Sequence, residues 1–117
     1  EGFDDAWRSI EAGERAMADV SQRTICDAIA TPAPGRLTLP IMARRVRGGA
    51  ALAEAEVKAA MAFAFKYLKL VVEPGGAVAL AAVLTGKIPL EGGAVGLTLS
   101  GGNVDAALFA EILGSHG

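Results

Sequence analysis

The chain has 117 residues, with 11 Lys and Arg against 13 Asp and Glu and a formal net charge of −2, so it can form one small domain but hardly two. Its mild acidity, with a pI near 5.3, excludes general attraction to nucleic-acid phosphate, and no basic run with interleaved aromatics reverses that. The longest apolar stretch, residues 77–84, is too short to span a bilayer and nothing at the N-terminus resembles a signal peptide, so a cytoplasmic protein with no membrane partner is expected.

The chain opens on Glu1-Gly2-Phe3-Asp4-Asp5, without an initiator methionine, and reads as a cut into a motif. Residues 4–12 carry helix formers with Asp4 and Asp5 in the first turn, where negative charge complements the helix dipole, and Gly13 is a natural stop. A second short helix is predicted over 24–30. Thr31-Pro32-Ala33-Pro34-Gly35 then breaks the chain into a loop. Cys26 is the single cysteine and can close no internal disulfide; with no histidine near it in sequence, it reads as a small buried hydrophobe and not a nucleophile. Residues 37–42, interrupted by Pro40, read as irregular, and Arg44, Arg45 and Arg47 as a solvated loop.

Residues 50–53 are predicted as a strand. Val57, Ala60, Met61, Ala64, Phe65 and Leu68 follow at the spacing of one helix face, with Glu54, Lys58 and Lys66 off it. Leu70-Val71-Val72 is a β-branched run ending at Glu73-Pro74. Gly75-Gly76 opens a helix over 77–85 that is apolar all round and is expected to be buried on every side; Gly86 closes it. The continuous apolar run 94–99 has the pattern of a parallel strand covered on both faces. Ser100-Gly101-Gly102-Asn103 turns into a last helix over 105–113, with Leu108, Phe109, Ile112 and Leu113 facing inward; His116, the only histidine, falls in a tail expected to fray. Helices alternating with short strands predict an α/β architecture with a mostly parallel sheet. A hydrophobic share of 52% is high for so short a chain, which predicts apolar faces that bury against further polypeptide.

Ligands of open parallel sheets bind at the carboxyl ends of strands, where loops carry free backbone donors and helices present their positive ends. Ser100-Gly101-Gly102-Asn103 is predicted there: the glycines allow close approach, Ser100 offers a hydroxyl, and Asn103 can cap the helix or reach into the site. The alternative is a Gly-rich turn whose polar groups satisfy only local backbone. At the second such turn, Glu73-Pro74-Gly75-Gly76-Ala77, a carboxylate ahead of an apolar helix needs a partner, and the nearby donors of the helix start are the simplest one. Asp4, Asp5 and the Phe3 carbonyl are hard oxygen ligands of the kind that suit magnesium or calcium, although acids at a helix start need no metal to explain them. No histidine–cysteine cluster, P-loop pattern or paired serine and histidine points to zinc, nucleotide or hydrolase chemistry.

The stretch Lys69-Leu70-Val71-Val72-Glu73-Pro74-Gly75-Gly76-Ala77-Val78-Ala79-Leu80-Ala81-Ala82, followed by Thr85-Gly86-Lys87-Ile88 and by Leu99-Ser100-Gly101-Gly102-Asn103-Val104-Asp105, resembles the pyridoxal-phosphate-dependent threonine/serine dehydratases and serine racemases. The resemblance runs from Glu1 to about Leu113. It implies the tryptophan-synthase-β type of fold, a three-layer mostly parallel sheet flanked by helices, with residues 1–117 as the C-terminal portion of the large cofactor domain. It further implies pyridoxal phosphate as cofactor, with Ser100 on the pyridine nitrogen and Gly101 and Gly102 as the wall beside the ring. Phe3 and Asp5 fall where the family offers a carbonyl and a carboxylate to Mg²⁺ or Ca²⁺; the glutamate that leads that segment is missing before Glu1.

Lys69 and Asn103 fall where family racemases contact a nucleotide effector. The Schiff-base lysine, the asparagine facing the cofactor's phenolic oxygen and the phosphate-cradling glycine loop all lie upstream in the family, and none of Lys58, Lys66, Lys69 or Lys87 has a matching context. The resemblance therefore implies no catalytic residue in these 117 residues, a partner in the missing N-terminal part of the same enzyme, and a homodimer. With four residues after Leu113, it is to the short form without a C-terminal effector domain. The implied reaction is elimination of water from L-threonine, L-serine or a related small-molecule hydroxy amino acid. A serine racemase or 3-hydroxyaspartate dehydratase is the alternative within the family, and a non-catalytic binding or assembly module the alternative of another class.

Overall fold

The computed structural model describes residues 1–116, which fall into two compact units, Glu1–Ala51 and Leu52–Gly117. In the first unit, α1 spans Asp5–Ala12 and ends where Gly13 turns left-handed, at φ 72°, as its acids and its glycine predict. Asp4 pairs with Arg8 one turn on at 2.9 Å, and Arg8 also donates to the Met17 carbonyl at 3.0 Å. Ser9, almost fully buried, bridges the helix to the returning chain: its hydroxyl donates to the Asp5 carbonyl at 2.5 Å and accepts from the Ala16 amide at 2.8 Å. The helix predicted over 24–30 is a single 3-10 turn, Asp27–Ile29. Ala18 donates to the Pro32 carbonyl at 2.8 Å and Arg15 to that of Pro34 at 2.8 Å, which fixes the proline loop.

The segment read as irregular around Pro40 is instead helix α2, Leu39–Arg45, with the proline in its first turn. That position has no intrahelical partner for an N–H, so a residue lacking one fits, and its fixed φ is already helical. Arg44 and Arg45 consequently stand in the last turn of a helix, exposed, where cations complement the dipole, and not in a loop. Gly49 gives room to an aromatic ring: a Cβ there would lie 2.5 Å from Trp7 Cδ2.

In the second unit, α3 spans Glu54–Phe63, α4 Pro74–Leu84 and α5 Ala106–Ser115. α3 packs against both others around Val57, Ala60, Met61 and Ala64, with Ala77, Leu80 and Ala81 of α4 and Ile112 of α5 also buried. The predicted stripe of α3 holds through Ala64 and then fails. Residues Ala64–Leu68 form a π-helical turn, whose wider winding carries later side chains off the face an α-helix would have kept. Phe65 and Leu68 are therefore 41% and 46% exposed. Phe65 nonetheless meets Phe109 of α5 edge-on, ring centres 5.6 Å apart. Lys69 closes the turn left-handed at φ 60°.

α4 starts on Pro74, and Gly86 follows its end with φ 70°. Its buried positions are Pro74 to Ala77, Leu80 and Ala81, whereas Leu84 is 45% exposed, so it is covered along one side and not all round. α5 is capped by Asp105, whose carboxylate accepts from the amides of Ala107 at 2.9 Å and Leu108 at 3.0 Å; Asn103, expected to cap this helix or reach into the site, has no such capping role. His116, expected to fray, is half-buried and bonds the Ile112 carbonyl through Nδ1 at 3.0 Å.

Among the described residues none of the three predicted strands forms a ladder. An extended segment becomes a strand only when a neighbour takes up its N–H and C=O groups. No described residue does so for 94–99, where Val95 is 50% exposed. Residues 70–73 meet 101–103 through one backbone bond, from the Glu73 amide to the Gly101 carbonyl at 3.1 Å.

Candidate functional site

The two Gly-rich turns that stand 27 residues apart in sequence, Glu73-Pro74-Gly75-Gly76 and Ser100-Gly101-Gly102-Asn103, are brought together by the fold. Gly76 lies in the first turn of α4, where glycine is a poor helix former, and the close approach explains it. A Cβ on Gly76 would stand 2.3 Å from the Ser100 carbonyl oxygen and 3.2 Å from that of Gly101. Gly102 sits as tightly on the other strand-like segment, where a Cβ would be 2.7 Å from the Val71 carbonyl oxygen. Gly101 has φ +86°, and a Cβ there would meet the Glu73 carboxyl group at 3.0 Å. All three glycines thus have a reason internal to the chain: the two turns touch backbone to backbone.

Glu73 joins them. It occupies the position just before α4 yet accepts no capping bond there. Its carboxylate instead reaches across to the amide of Asn103 at 3.0 Å, so the expectation of a local bond at the helix start is replaced by one of much longer range. With its own amide on the Gly101 carbonyl at 3.1 Å, Glu73 holds the second turn at two points. Neither pairing is visible in a linear motif; the glycine pairs at 75–76 and 101–102 are the sequence signs of close approach.

Ser100 projects from this braced turn, exposed, and its hydroxyl has no hydrogen-bond partner among the described residues. A neutral donor–acceptor on rigid backbone, flanked by exposed Gly101 and Gly102, fits one edge of a heteroaromatic ring such as the pyridine of pyridoxal phosphate. The four lysines are engaged away from Ser100. Lys58 faces Glu111 at 3.8 Å, Lys66 donates to the His116 carbonyl, Lys69 to the Lys66 carbonyl at 2.7 Å, and Lys87 to Glu56 at 2.7 Å. The Glu56 carboxyl is held below the ordinary carboxylate range, first by the Lys87 hydrogen bond and then by the Ala53 amide.

In the other unit, Asp5 is buried and Phe3 half-buried. No group of three or more His, Cys, Asp or Glu among the described residues could hold a metal ion. A carbonyl and one carboxylate are two of the six or more oxygens that magnesium or calcium takes, so Phe3 and Asp5 do not by themselves complete a cation site. Cys26 is buried, as a small hydrophobe would be, and no described helix is long and apolar enough to cross a membrane.

The 100–103 turn thus presents an exposed hydroxyl, without a partner among the described residues, on closely apposed glycines. The family model for pyridoxal-phosphate dependent enzymes matches residues 1–101, and the chain belongs to that family. It is 36% identical over 115 residues to serine racemase of Dictyostelium discoideum, covering 96% of this chain and 35% of that protein. Against L-threo-3-hydroxyaspartate ammonia-lyase of Pseudomonas sp it is 34% identical over 113 residues, with 97% and 35% covered. The crystal structure of the T.th. threonine deaminase superimposes with a TM-score of 0.82 at 41% identity, over 90% of this chain and 37% of that one. The chain thus spans about a third of the length of the relatives it matches. The fold class is the α/β class of these structures, of the tryptophan-synthase-β type, although the described residues carry only its helices and unpaired extended segments.

Proposed function

We propose that residues 1–117 are the C-terminal portion of the large cofactor domain of a pyridoxal-phosphate-dependent lyase that eliminates water from L-threonine, L-serine or a related 3-hydroxy amino acid, giving a 2-oxo acid and ammonia. The observation that carries this reading is the Ser100 hydroxyl, unpartnered among the described residues, on a turn braced by Gly76 and Glu73 within a chain whose relatives include an ammonia-lyase and a deaminase by name. When bound, pyridoxal phosphate supplies the electron sink that lets the α-proton and the β-hydroxyl leave.

Ser100 Oγ–H would donate to the pyridine nitrogen. A neutral hydroxyl does not hold that nitrogen protonated as a carboxylate would, and the weaker sink suits β-elimination, in which the departing hydroxyl drains charge from Cα. Gly101 and Gly102 would form the wall beside the ring. The lysine chemistry is assigned to the N-terminal part of the same enzyme, so the chain by itself is expected to be inactive. A homodimer in the cytoplasm completes the reading. A cation at the Phe3 carbonyl and Asp5 would need its remaining ligands from elsewhere.

The relative named as a serine racemase supports a second reading, interconversion of L- and D-serine. Both are tested on the whole protein loaded with pyridoxal phosphate, by the cofactor's absorbance and by 2-oxo acid formation from L-threonine, L-serine and 3-hydroxyaspartate. D-serine appearing faster than pyruvate selects the racemase. Neither a cofactor band nor product from any of the three would remove the enzyme reading in favour of a binding or assembly module.

A further inference from the structure

Resting on the assignment of Ser100 to the pyridine nitrogen, we infer that Glu73 is the positioning residue of that contact: its carboxylate pins the 100–103 turn through the Asn103 amide and so sets where the Ser100 hydroxyl stands. An acid just before a helix has an obvious local use in bonding the free amides of the first turn. Glu73 makes no such bond. It commits its carboxylate to an amide 30 residues on, at 3.0 Å, a charge-assisted bond about twice as strong as a neutral one.

The geometry makes that bond decisive for Ser100. The Glu73 amide fixes the Gly101 carbonyl at 3.1 Å, and the carboxyl group lies against Gly101, whose left-handed φ of +86° and missing side chain admit it. Gly76 also leaves no room for the Ser100 carbonyl to approach it further, since even a Cβ there would be 2.3 Å from it. Ser100 is therefore held between a steric stop and an electrostatic tie. A serine hydroxyl reaches only one bond beyond Cβ, so an O–H···N bond, which weakens quickly with distance and angle, depends on where the backbone is placed.

The test uses the whole protein with Glu73→Ala, Glu73→Gln and Ser100→Ala. Loss of a charge-assisted bond predicts about a tenfold fall in kcat for Glu73→Ala, with KM little changed and the bound cofactor's absorbance and its pH midpoint displaced in the same direction as in Ser100→Ala. Glu73→Gln, whose amide oxygen can still accept from Asn103 but without the charge, recovers part of both. Without cofactor, the Asn103 amide exchanges about ten times faster in Glu73→Ala and at an intermediate rate in Glu73→Gln. If Glu73→Ala does not fold, Glu73→Asp takes its place, because it keeps the charge but draws the oxygen back by one methylene.

A variant at Glu73 that lowers only the melting temperature, with the cofactor spectrum unmoved while Ser100→Ala moves it, overturns the role of Glu73 alone. Glu73→Gln as damaging as Glu73→Ala does the same. A Ser100→Ala protein with parental absorbance and kcat overturns the assignment of Ser100 itself.

Discussion

The two units of this chain are built on different principles. In Leu52–Gly117, three helices close around large apolar side chains, with Met61 and Ile112 at 0% exposure and Val57 at 2%. In Glu1–Ala51 the most deeply buried residues are Asp5 and Ser9, and the buried apolar residues, Ala18, Cys26 and Pro34, are small. The first kind of order rests on area removed from water, which is non-directional. The second rests on particular hydrogen bonds, from the buried Ser9 hydroxyl, the Ala18 amide and the exposed Arg15. The element proposed to meet the cofactor belongs to the unit with the apolar core, which suits a site that needs fixed backbone.

The largest expected effect breaks the apolar side of this contrast. Met61→Ala leaves a void at the α3 contacts and should lower unfolding free energy by about 2–5 kcal/mol, read by denaturant melting of the whole protein, with faster amide exchange through α3 and α4 and little change in α1. Next, Ser9→Ala removes a donor and an acceptor together and strands the Ala16 amide, a loss of about 1–3 kcal/mol. Exchange should rise at Ala16 and around α1 and leave α3 unchanged; a uniform rise across both units would show that the two kinds of order are not separable.

A smaller lesion sharpens the picture at the turn itself. Asp105→Ala removes the cap of α5 and should cost about 1 kcal/mol, seen as faster exchange at Ala107 and Leu108. Since Asn103 is tied to Glu73 and not to α5, its amide should stay protected. The smallest effect is on acid stability. Glu56 has its carboxyl lowered in the folded protein by Lys87 and the Ala53 amide. Its contribution is thus fully present above the unfolded-state value and is lost as pH falls through the lower folded value. Glu56→Gln should flatten the stability profile in that acid window only, by a modest amount because the pair is solvent-screened; an unchanged slope would mean the pair contributes nothing.

α1 with its Gly13 stop, the buried half of the α3 stripe, the apolar α4 and the Asp105-led α5 were legible from spacing and end signals, because those follow from local propensity and one-sided burial. Pro40 misled by its composition: whether a proline breaks or begins a helix depends on whether its amide is needed, which is a matter of position. The π turn at Ala64–Leu68 carries no pattern of its own and redirected Phe65 and Leu68. Extended segments at 70–72 and 94–99 have strand composition, but a ladder is a property of two segments, and no run of residues contains its own partner.

The candidate site divides in the same way. Sequence alone singled out Ser100, Gly101 and Gly102 and, through the order of two motifs, the family. Only the tertiary structure decided that Gly76 abuts Ser100 and that Glu73 spans 30 residues to the Asn103 amide. Residue types and their local spacing encode what a segment can do by itself. Which distant backbone it meets depends on how the helices of the whole unit pack to bury their apolar faces, which no single segment encodes.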